Sequence, residues 1–291
     1  MRRMEEVLQY FPINIYKVLS KVLDQNEKIE KNLQEIRIRS QKPIILKYGQ
    51  ADTVLEYRVT SNEIMQILEK ICENSIYAYK NQICNGFITV RGGHRIGITG
   101  TAVIENGKII NIKNITSLNF RIAREILDCS DKILKDIIDN EHKTIFNTLI
   151  VSPPGKGKTT ILRDTIRKIS NGIEEIGFKG KTCGVVDERG EIAAMYKGMP
   201  QNDIGIRTDV IENINKSKGI EMLIRSMAPE IIACDEIGTK EDVQAIKQAI
   251  ISGVKGIFTM HGKNVEDIKN NLEIYKLVES KQIEKIIFLD T

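Results

Sequence analysis

The 291-residue chain contains no tryptophan, and aromatic residues make up only 5% of it. So few rings leave few platforms on which nucleic acid bases could stack. The basic excess is also small, with 43 Lys and Arg against 39 Asp and Glu and a formal net charge of +4. The composition therefore argues against nucleic acid as a partner and is typical of an ordinary soluble surface.

Long apolar runs and paired cysteines are also missing. No stretch approaches the ~18 apolar residues of a membrane span, and the N-terminus lacks the apolar segment of a signal peptide. The five cysteines form no C-x-x-C pair, so we interpret them as reduced thiols. We expect a cytoplasmic chain without a membrane span, which reaches any membrane only through a partner.

The length suffices for about two domains, and the residue pattern changes at the polar stretch 139–143. Before it, the pattern predicts helices at 4–23 with a break at Pro12, at 62–79 and at 124–138, and strands at 35–39, 87–90, 95–104 and 108–112. The dipeptide Asn106-Gly107 predicts a tight hairpin between the last two strands. We therefore predict a smaller α+β domain with antiparallel hairpins at residues 1–140.

Strands and helices alternate after residue 143. The predicted strands lie near 147–151, 181–187, 230–235, 255–260 and 284–289, with helical stretches between most of them. This alternation is typical of a mostly parallel sheet covered on both faces. We predict an α/β domain at residues 141–291.

A phosphate-binding pattern occupies the start of this second domain. Residues 152–159 read Ser-Pro-Pro-Gly-Lys-Gly-Lys-Thr and match G-x-x-x-x-G-K-[ST] at every fixed position except the first. An apolar run precedes the loop and a helix-compatible stretch follows it, so backbone N–H groups and the helix N-terminus would bind phosphate. The predicted nucleotide-binding residues are Ser152, Pro153, Pro154, Gly155, Lys156, Gly157, Lys158, Thr159 and Thr160.

Three of these residues carry specific expectations. Lys158 would reach the β and γ phosphates, and the Thr159 hydroxyl would bind Mg²⁺. Ser152 stands where the pattern has glycine, so we expect it to adopt a backbone conformation that glycine reaches more easily, with phosphate binding retained. The alternative is a Gly- and Pro-rich surface turn that precedes a helix by chance.

Two carboxylates follow the apolar strand that ends at residue 234. Asp235 is placed to bind Mg²⁺ together with Thr159, and Glu236 is placed to act as the general base that activates water. The alternative is a strand whose terminal acids only face solvent. His261 ends the next strand, which we expect between the other two, so His261 is a candidate γ-phosphate sensor or else a polar cap.

A further acidic cluster, Asp187, Glu188 and Glu191, lies at the end of the strand near 181–187 and just beyond it. These acids could order water or Mg²⁺, and Glu188 is our catalytic candidate among them, but they could equally cap a loop or pair with an arginine. Residues 187–190 also fit the D-x-x-G pattern of GTPases. The N-K-x-D element that reads guanine has only the partial match 215–218, which lacks the aspartate, so we expect ATP.

In this order the motifs resemble the type II/IV secretion ATPase superfamily. Residues 223–238 are similar to its arginine and Walker B block, residues 253–261 to its His box, and residues 187–191 to its Asp box. Many of those motors lack the Walker B aspartate, whereas this chain has both Asp235 and Glu236. Residues 91–95, 117–124, 186–189, 199–203 and 224–227 resemble the stage III sporulation protein AA family, whose loop usually begins with glycine rather than a residue such as Ser152.

The resemblance implies a RecA-like P-loop ATPase domain that hydrolyses ATP with Mg²⁺. It further implies a homohexameric ring that docks on the cytosolic face of a membrane channel complex, in the mother cell of an endospore former. In such rings an arginine from a neighbouring subunit can stabilise transition-state charge. Arg225 is our candidate in the ATPase domain, with Arg95, Arg121 and Arg124 in the first domain.

Two other functions stay open at this point. A nucleic-acid-stimulated RecA-like ATPase could use Arg37, Arg39, Arg91 and Arg95 as a basic face. A nucleotide-loaded assembly scaffold that rarely hydrolyses ATP would carry the same loop.

Overall fold

The computed structural model describes residues 2–289, and its internal contacts divide the chain into two compact units. The first unit contains the residues up to Arg124 together with Tyr196–Gln201, and the second contains Glu125–Met195 and the residues from Asn202 onward. The boundary predicted after residue 140 thus lies further along the chain than this division. Residues 125–140 go with the second unit because the buried carboxylate of Asp164 accepts hydrogen bonds from the backbone of Asp128 and from Ser130.

In the described part of the first unit, which begins at Arg2, there are five α-helices and six strands. Its helices are α1 (Arg2–Leu8), α2 (Ile13–Gln25), α3 (Glu27–Asn32), α4 (Ser61–Ile71) and α5 (Lys80–Cys84). Its strands are β1 (Leu33–Arg39), β2 (Pro43–Tyr48), β3 (Ala51–Arg58), β4 (Phe87–Thr89), β5 (Arg95–Glu105) and β6 (Lys108–Arg121). The strands form one antiparallel sheet in the order β3-β2-β1-β6-β5-β4.

Alternation along β1 separates the two faces of this sheet. Ile36 and Ile38 are fully buried in an apolar core with Phe120 of β6, and the rings of Phe11 and Phe120 lie 4.7 Å apart. The side chains of alternate residues point to opposite faces of a strand, so Arg37 lies on the other face. One face of the sheet is therefore covered by helices, and the other carries polar side chains.

The predicted hairpin is present, but two predicted helices are shorter than expected. Asn106 and Gly107 both have positive φ, as a tight hairpin between β5 and β6 requires. Helix α4 ends at Ile71 rather than near 79, and Glu73 beyond it has a φ of +50°. The helix expected at 124–138 is reduced to a short helix that begins at Asp131.

The segment Tyr196–Gln201 belongs to the first unit although it lies between two strands of the second. The Tyr196 hydroxyl donates to Glu73 at 2.5 Å, and the Lys197 ammonium pairs with the same carboxylate at 2.6 Å. The backbone N–H of Gly92 donates to the Gln201 side chain at 2.8 Å. These contacts hold both ends of the segment.

The second unit alternates strands and helices. Its helices are α6 (Asp131–Ile137), α7 (Lys158–Asn171), α8 (Lys216–Met227), α9 (Lys240–Ile251), α10 (Val265–Asn270) and α11 (Leu272–Glu279). Its strands are β7 (Ile138–Asp139), β8 (Thr144–Ile145), β9 (Thr148–Ser152), β10 (Gly172–Ile173), β11 (Phe178–Lys179), β12 (Cys183–Asp187), β13 (Thr208–Glu212), β14 (Ile231–Cys234), β15 (Lys255–His261) and β16 (Lys285–Phe288).

Six of these strands form a parallel sheet in the order β13-β12-β14-β15-β9-β16. Apolar clusters cover both of its faces, one with α6 and α7 and the other with α8, α9, α10 and α11. This confirms the predicted fold class. Because β15 lies between β9 and β14, the ends of all three strands meet at one edge of the sheet.

None of the helices described between residues 2 and 289 is long and apolar enough to cross a membrane.

Candidate functional site

The glycine-rich loop between β9 and α7 has the backbone that its sequence requires. Gly155 and Gly157 have φ values of +75° and +86°, a region that costs residues with a Cβ more than it costs glycine. No atom lies within 4 Å of where a Cβ would stand at either position. Both glycines are therefore needed for their backbone angles and not for space.

Ser152 does not have the strained backbone that we expected. It is the last residue of β9, pairs in register with His261 of β15, and is fully buried. Its hydroxyl donates to the Pro153 carbonyl at 3.1 Å, and its own carbonyl accepts the N–H of Gly262. The expectation was wrong because the chain stays extended through residue 152, and any residue adopts that conformation.

The remaining loop residues differ in exposure. Pro154, Gly155 and Lys156 are exposed, whereas Pro153 is buried and Thr160 is half-buried in the first turn of α7. The exposed tip leaves the loop open to a ligand.

Lys158, His261 and Glu236 form one hydrogen-bonded chain. The Lys158 Nζ lies 2.9 Å from His261 Nδ1, and His261 Nε2 lies 2.8 Å from a Glu236 oxygen. An ammonium can only donate, so Nδ1 accepts and Nε2 carries the proton that is donated to Glu236. Burial lowers the pKa of Lys158, although attraction from Glu236 and Asp235 opposes this shift.

Glu236 is fixed at both its backbone and its carboxylate. Its φ is +48°, which is strained for a residue with a side chain, and its N–H donates to the buried hydroxyl of Thr259 at 2.9 Å. The carboxylate also binds the guanidinium of Arg189. Thr259 and Arg189 were not among the predicted site residues, although Arg189 directly follows the acidic pair at the end of β12.

Asp235 and Thr159 lie next to each other, beside the hydrogen-bonded residues Lys158 and Glu236. The Thr159 hydroxyl is 3.5 Å from Asp235 Oδ2, and Asp235 is only 2% exposed. Burial raises the pKa of Asp235 to about 6, and the negative charges of Asp187, Glu191 and Glu236 add to the shift.

Such a carboxylate fits a divalent cation, which would supply the missing positive charge. Within residues 2–289 no group of three or more His, Cys, Asp or Glu side chains could hold a metal by itself. Mg²⁺ commonly takes one or two protein oxygens together with phosphate and water. The hydroxyl of Thr159 and the carboxylate of Asp235 match that requirement.

The acidic cluster after β12 divides into two kinds of residue. Asp187 is fully buried, and its carboxylate accepts the N–H groups of Glu191, Ile192 and Ala193 at 2.8 to 3.1 Å. Arg163 of α7 donates to the carbonyls of Glu191 and Ile192. Asp187 therefore caps this loop, which is one of the alternatives that the sequence left open.

Glu188 pairs with Lys216 at the start of α8. Burial would lower the pKa of Lys216, but its hydrogen bond to Glu188 outweighs burial and raises it. Among the described contacts Glu188 has none with Glu236 or His261, so its catalytic role stays a prediction. The sequence did not predict Lys216 as a partner of the acidic cluster, because β13, the strand that leads to it, has no clear apolar pattern.

Arg225 lies away from the Glu188–Lys216 pair. It is exposed in the last turn of α8, about 14 Å along the helix axis from Lys216 at 1.5 Å per residue. Its predicted action on a neighbouring subunit stays a prediction.

The strand, loop and helix around Lys158, with carboxylates at the end of the next strand but one in the sheet, have the arrangement of a P-loop nucleotide site. The chain is similar to the ATPase DotB of Yersinia pseudotuberculosis, with a TM-score of 0.61 and 14% identity over 96% of this chain and 75% of that one. It is also similar to the pilus retraction motor PilT with bound ADP, with a TM-score of 0.58 and 14% identity over 90% and 73%. The fold is therefore that of the RecA-like secretion ATPases.

The chain belongs to the sporulation stage III protein AA family, whose model matches residues 1–291. It is 36% identical to stage III sporulation protein AA of Bacillus subtilis (strain 168) over 287 residues, which are 98% of this chain and 91% of that protein. The resemblance to this family is thus confirmed, and the resemblance to the secretion ATPases is confirmed for the fold.

Proposed function

We propose that this protein hydrolyses ATP with Mg²⁺ at the site formed by Lys158, Thr159, Asp235, Glu236 and His261. The observation that carries the proposal is the chain from Lys158 through His261 to Glu236, which links a phosphate-binding cation to a fixed carboxylate. A general base must be held within hydrogen-bond reach of the proton that it abstracts.

Each residue has one task in the reaction. Lys158 and the loop N–H groups bind the β and γ phosphates, and Glu236 orients water for in-line attack and accepts its proton. His261 holds Glu236 through Nε2. Thr159 and Asp235 would hold Mg²⁺, which would supply positive charge to the phosphoryl oxygens.

The structure around residue 215 supports ATP over GTP. The side chain of Asn215 accepts the N–H of Lys218 and caps α8. An asparagine that caps its own helix is not available to read a guanine base. The partial N-K-x-D match is therefore a helix cap.

We further propose that the protein works as a hexameric ring that energises a membrane complex during endospore formation. The Bacillus subtilis relative is named for sporulation and PilT for pilus retraction, and motors of that kind act on a larger machine. The exposed Arg225 could reach a neighbouring subunit in such a ring. A nucleic-acid-stimulated ATPase and a rarely hydrolysing scaffold are the competing functions.

Glu236→Gln tests the proposed base because it keeps the size and polarity of the side chain but removes its basicity. We expect ATP binding to persist and kcat to fall by about 10²–10⁴. The matched control is Glu241→Gln, the same change at an exposed position in α9, which should leave kcat unchanged. Retained turnover in Glu236→Gln would contradict the assignment.

The same assay separates the competing functions. The ATPase rate per chain should rise with protein concentration if a ring forms. A steeply salt-dependent acceleration by DNA would instead favour the nucleic-acid-stimulated ATPase. Very slow hydrolysis at all concentrations, with ATP binding intact, would favour the scaffold.

A further inference from the structure

A pocket of about 340 Å³ with a mixed polar and apolar lining lies on the open face of the sheet in the first unit. Its polar lining comes from residues in register across three adjacent strands, and Gly86 and Gly97 leave room at its edge. One row across the strands is Arg37, Asn119 and Gly97, and the next row is Arg39, Ser117 and Thr99.

The polar groups in this pocket are largely without protein partners. The Arg39 guanidinium and the hydroxyls of Ser117 and Thr99 make no hydrogen bond or ion pair with the described residues. Asn119 Oδ1 is buried and has no partner within residues 2–289. Within the described part of the chain, Arg37 makes one side-chain hydrogen bond, from Nε to Glu35, and its terminal nitrogens make none.

Buried polar atoms are nearly always hydrogen-bonded, because an unmade bond costs about 1–3 kcal/mol. The buried Oδ1 of Asn119 is such an atom. The Arg39, Ser117 and Thr99 side chains beside it are half-buried or exposed and within reach of solvent. One buried unmade bond surrounded by accessible donors points to a ligand that binds them together. The nearby Arg95 is already occupied, with its guanidinium 4.2 Å from the centre of the Phe87 ring.

The donors define the chemistry of that ligand. Arg37 and Arg39 are two residues apart on one strand, so their side chains leave the same face about 7 Å apart. Arginine forks match phosphate oxygens in pairs, and the hydroxyls of Ser117 and Thr99 add two further donors. The side-chain amide of Asn119 can turn to donate its N–H₂ group.

We propose that this pocket binds the phosphoryl group of a small phosphorylated molecule. Its volume of about 340 Å³ suits a small ligand. The site is formed by first-unit residues, whereas the loop at Lys158 belongs to the second unit. The proposal does not depend on the function proposed above.

The experiment measures pyrophosphate binding by calorimetry in the full chain with Lys158→Ala, which removes phosphate binding at the loop. We expect saturable binding to one site, weakened at least tenfold by adding Arg39→Ala and less by Arg39→Lys. Arg58→Ala removes an arginine from β3, outside the pocket, and should change the affinity less than twofold.

Gly97→Val is the decisive variant because it fills the pocket without removing charge. The Cβ at this position would lie 3.8 Å from the Asn119 Cβ, which is ordinary contact, and valine favours strands. We expect an unchanged or higher Tm with binding abolished.

Three results would overturn the proposal. The first is that Lys158→Ala shows no saturable pyrophosphate binding. The second is that adding Arg39→Ala or Gly97→Val to Lys158→Ala leaves the affinity for pyrophosphate unchanged. The third is that a single-stranded oligonucleotide displaces pyrophosphate and still binds after Gly97→Val. The last result would show a surface for polyanions rather than a pocket.

Discussion

Asp235→Asn should stabilise the protein in the absence of Mg²⁺ and nucleotide. In the folded chain burial raises the pKa of Asp235 from 3.8 to about 6, with a further contribution from Asp187, Glu191 and Glu236. Between pH 4 and 6 the folded state holds more protons than the unfolded chain, so this group makes the free energy of unfolding fall as pH rises.

The expected magnitude follows from that difference. Each unit of pKa corresponds to about 1.4 kcal/mol, so above pH 6 the ionised Asp235 destabilises the folded protein by about 3 kcal/mol. Asparagine is neutral and nearly the same size, but its buried amide lacks some hydrogen bonds. We expect Asp235→Asn to raise the free energy of unfolding by about 1–3 kcal/mol at pH 7.5 and by much less at pH 4.

Urea unfolding in the presence of EDTA, at pH 7.5 and at pH 4, measures the change in unfolding free energy at each pH. The matched control is Asp164→Asn, the same change at a carboxylate that is also 2% exposed. Burial would raise the pKa of Asp164, but hydrogen bonds from Ser130 and Arg167 outweigh it and lower the pKa. Asp164→Asn should therefore destabilise the protein at pH 7.5, and a loss of stability in Asp235→Asn as well would refute the reasoning.

Two further predictions concern the strands around the site. Thr259→Val leaves the N–H of Glu236 without its acceptor, so we expect a loss of about 1–3 kcal/mol in unfolding free energy and a lower kcat with unchanged ATP affinity. The control Thr148→Val removes a hydroxyl that donates to the Phe146 carbonyl and should leave kcat unchanged. Equal effects of the two variants on kcat would contradict this prediction. Ser152→Gly should lower stability by about 0.5–1 kcal/mol and leave ATP affinity within twofold in a binding titration, whereas much tighter binding would show that serine strains the loop.

The sequence was most informative where one apolar run decides the structure. All five predicted strands of the second unit form. Four of them are central in the sheet, where a strand buried on both faces needs a continuous apolar run. The fifth, β16, is a half-exposed edge strand that still carries the apolar residues Ile286, Ile287 and Phe288. The edge strand β13 is only half-buried, so Thr208–Glu212 carries no such run. The helix predicted at 124–138 is short because Asp164, distant in sequence, binds the backbone of Asp128 and Ser130.

The same distinction applies to the candidate site. Lys158, Asp235 and Glu236 follow from motif spacing and strand ends, and the structure brings them together. Thr259 and Arg189 reach Glu236 only through the packing of β15 and β12 beside β14. No local pattern marks a residue whose role is to orient another.

The segment Tyr196–Gln201 has a consequence for the order in which the chain folds during synthesis. The first unit contains this segment, so it cannot be completed until roughly 80 residues beyond Arg124 have been made, which takes several seconds at 5–20 residues per second. During that interval Glu73 has neither Tyr196 nor Lys197. The first part of the chain to be synthesised is thus finished only after much of the second unit has emerged.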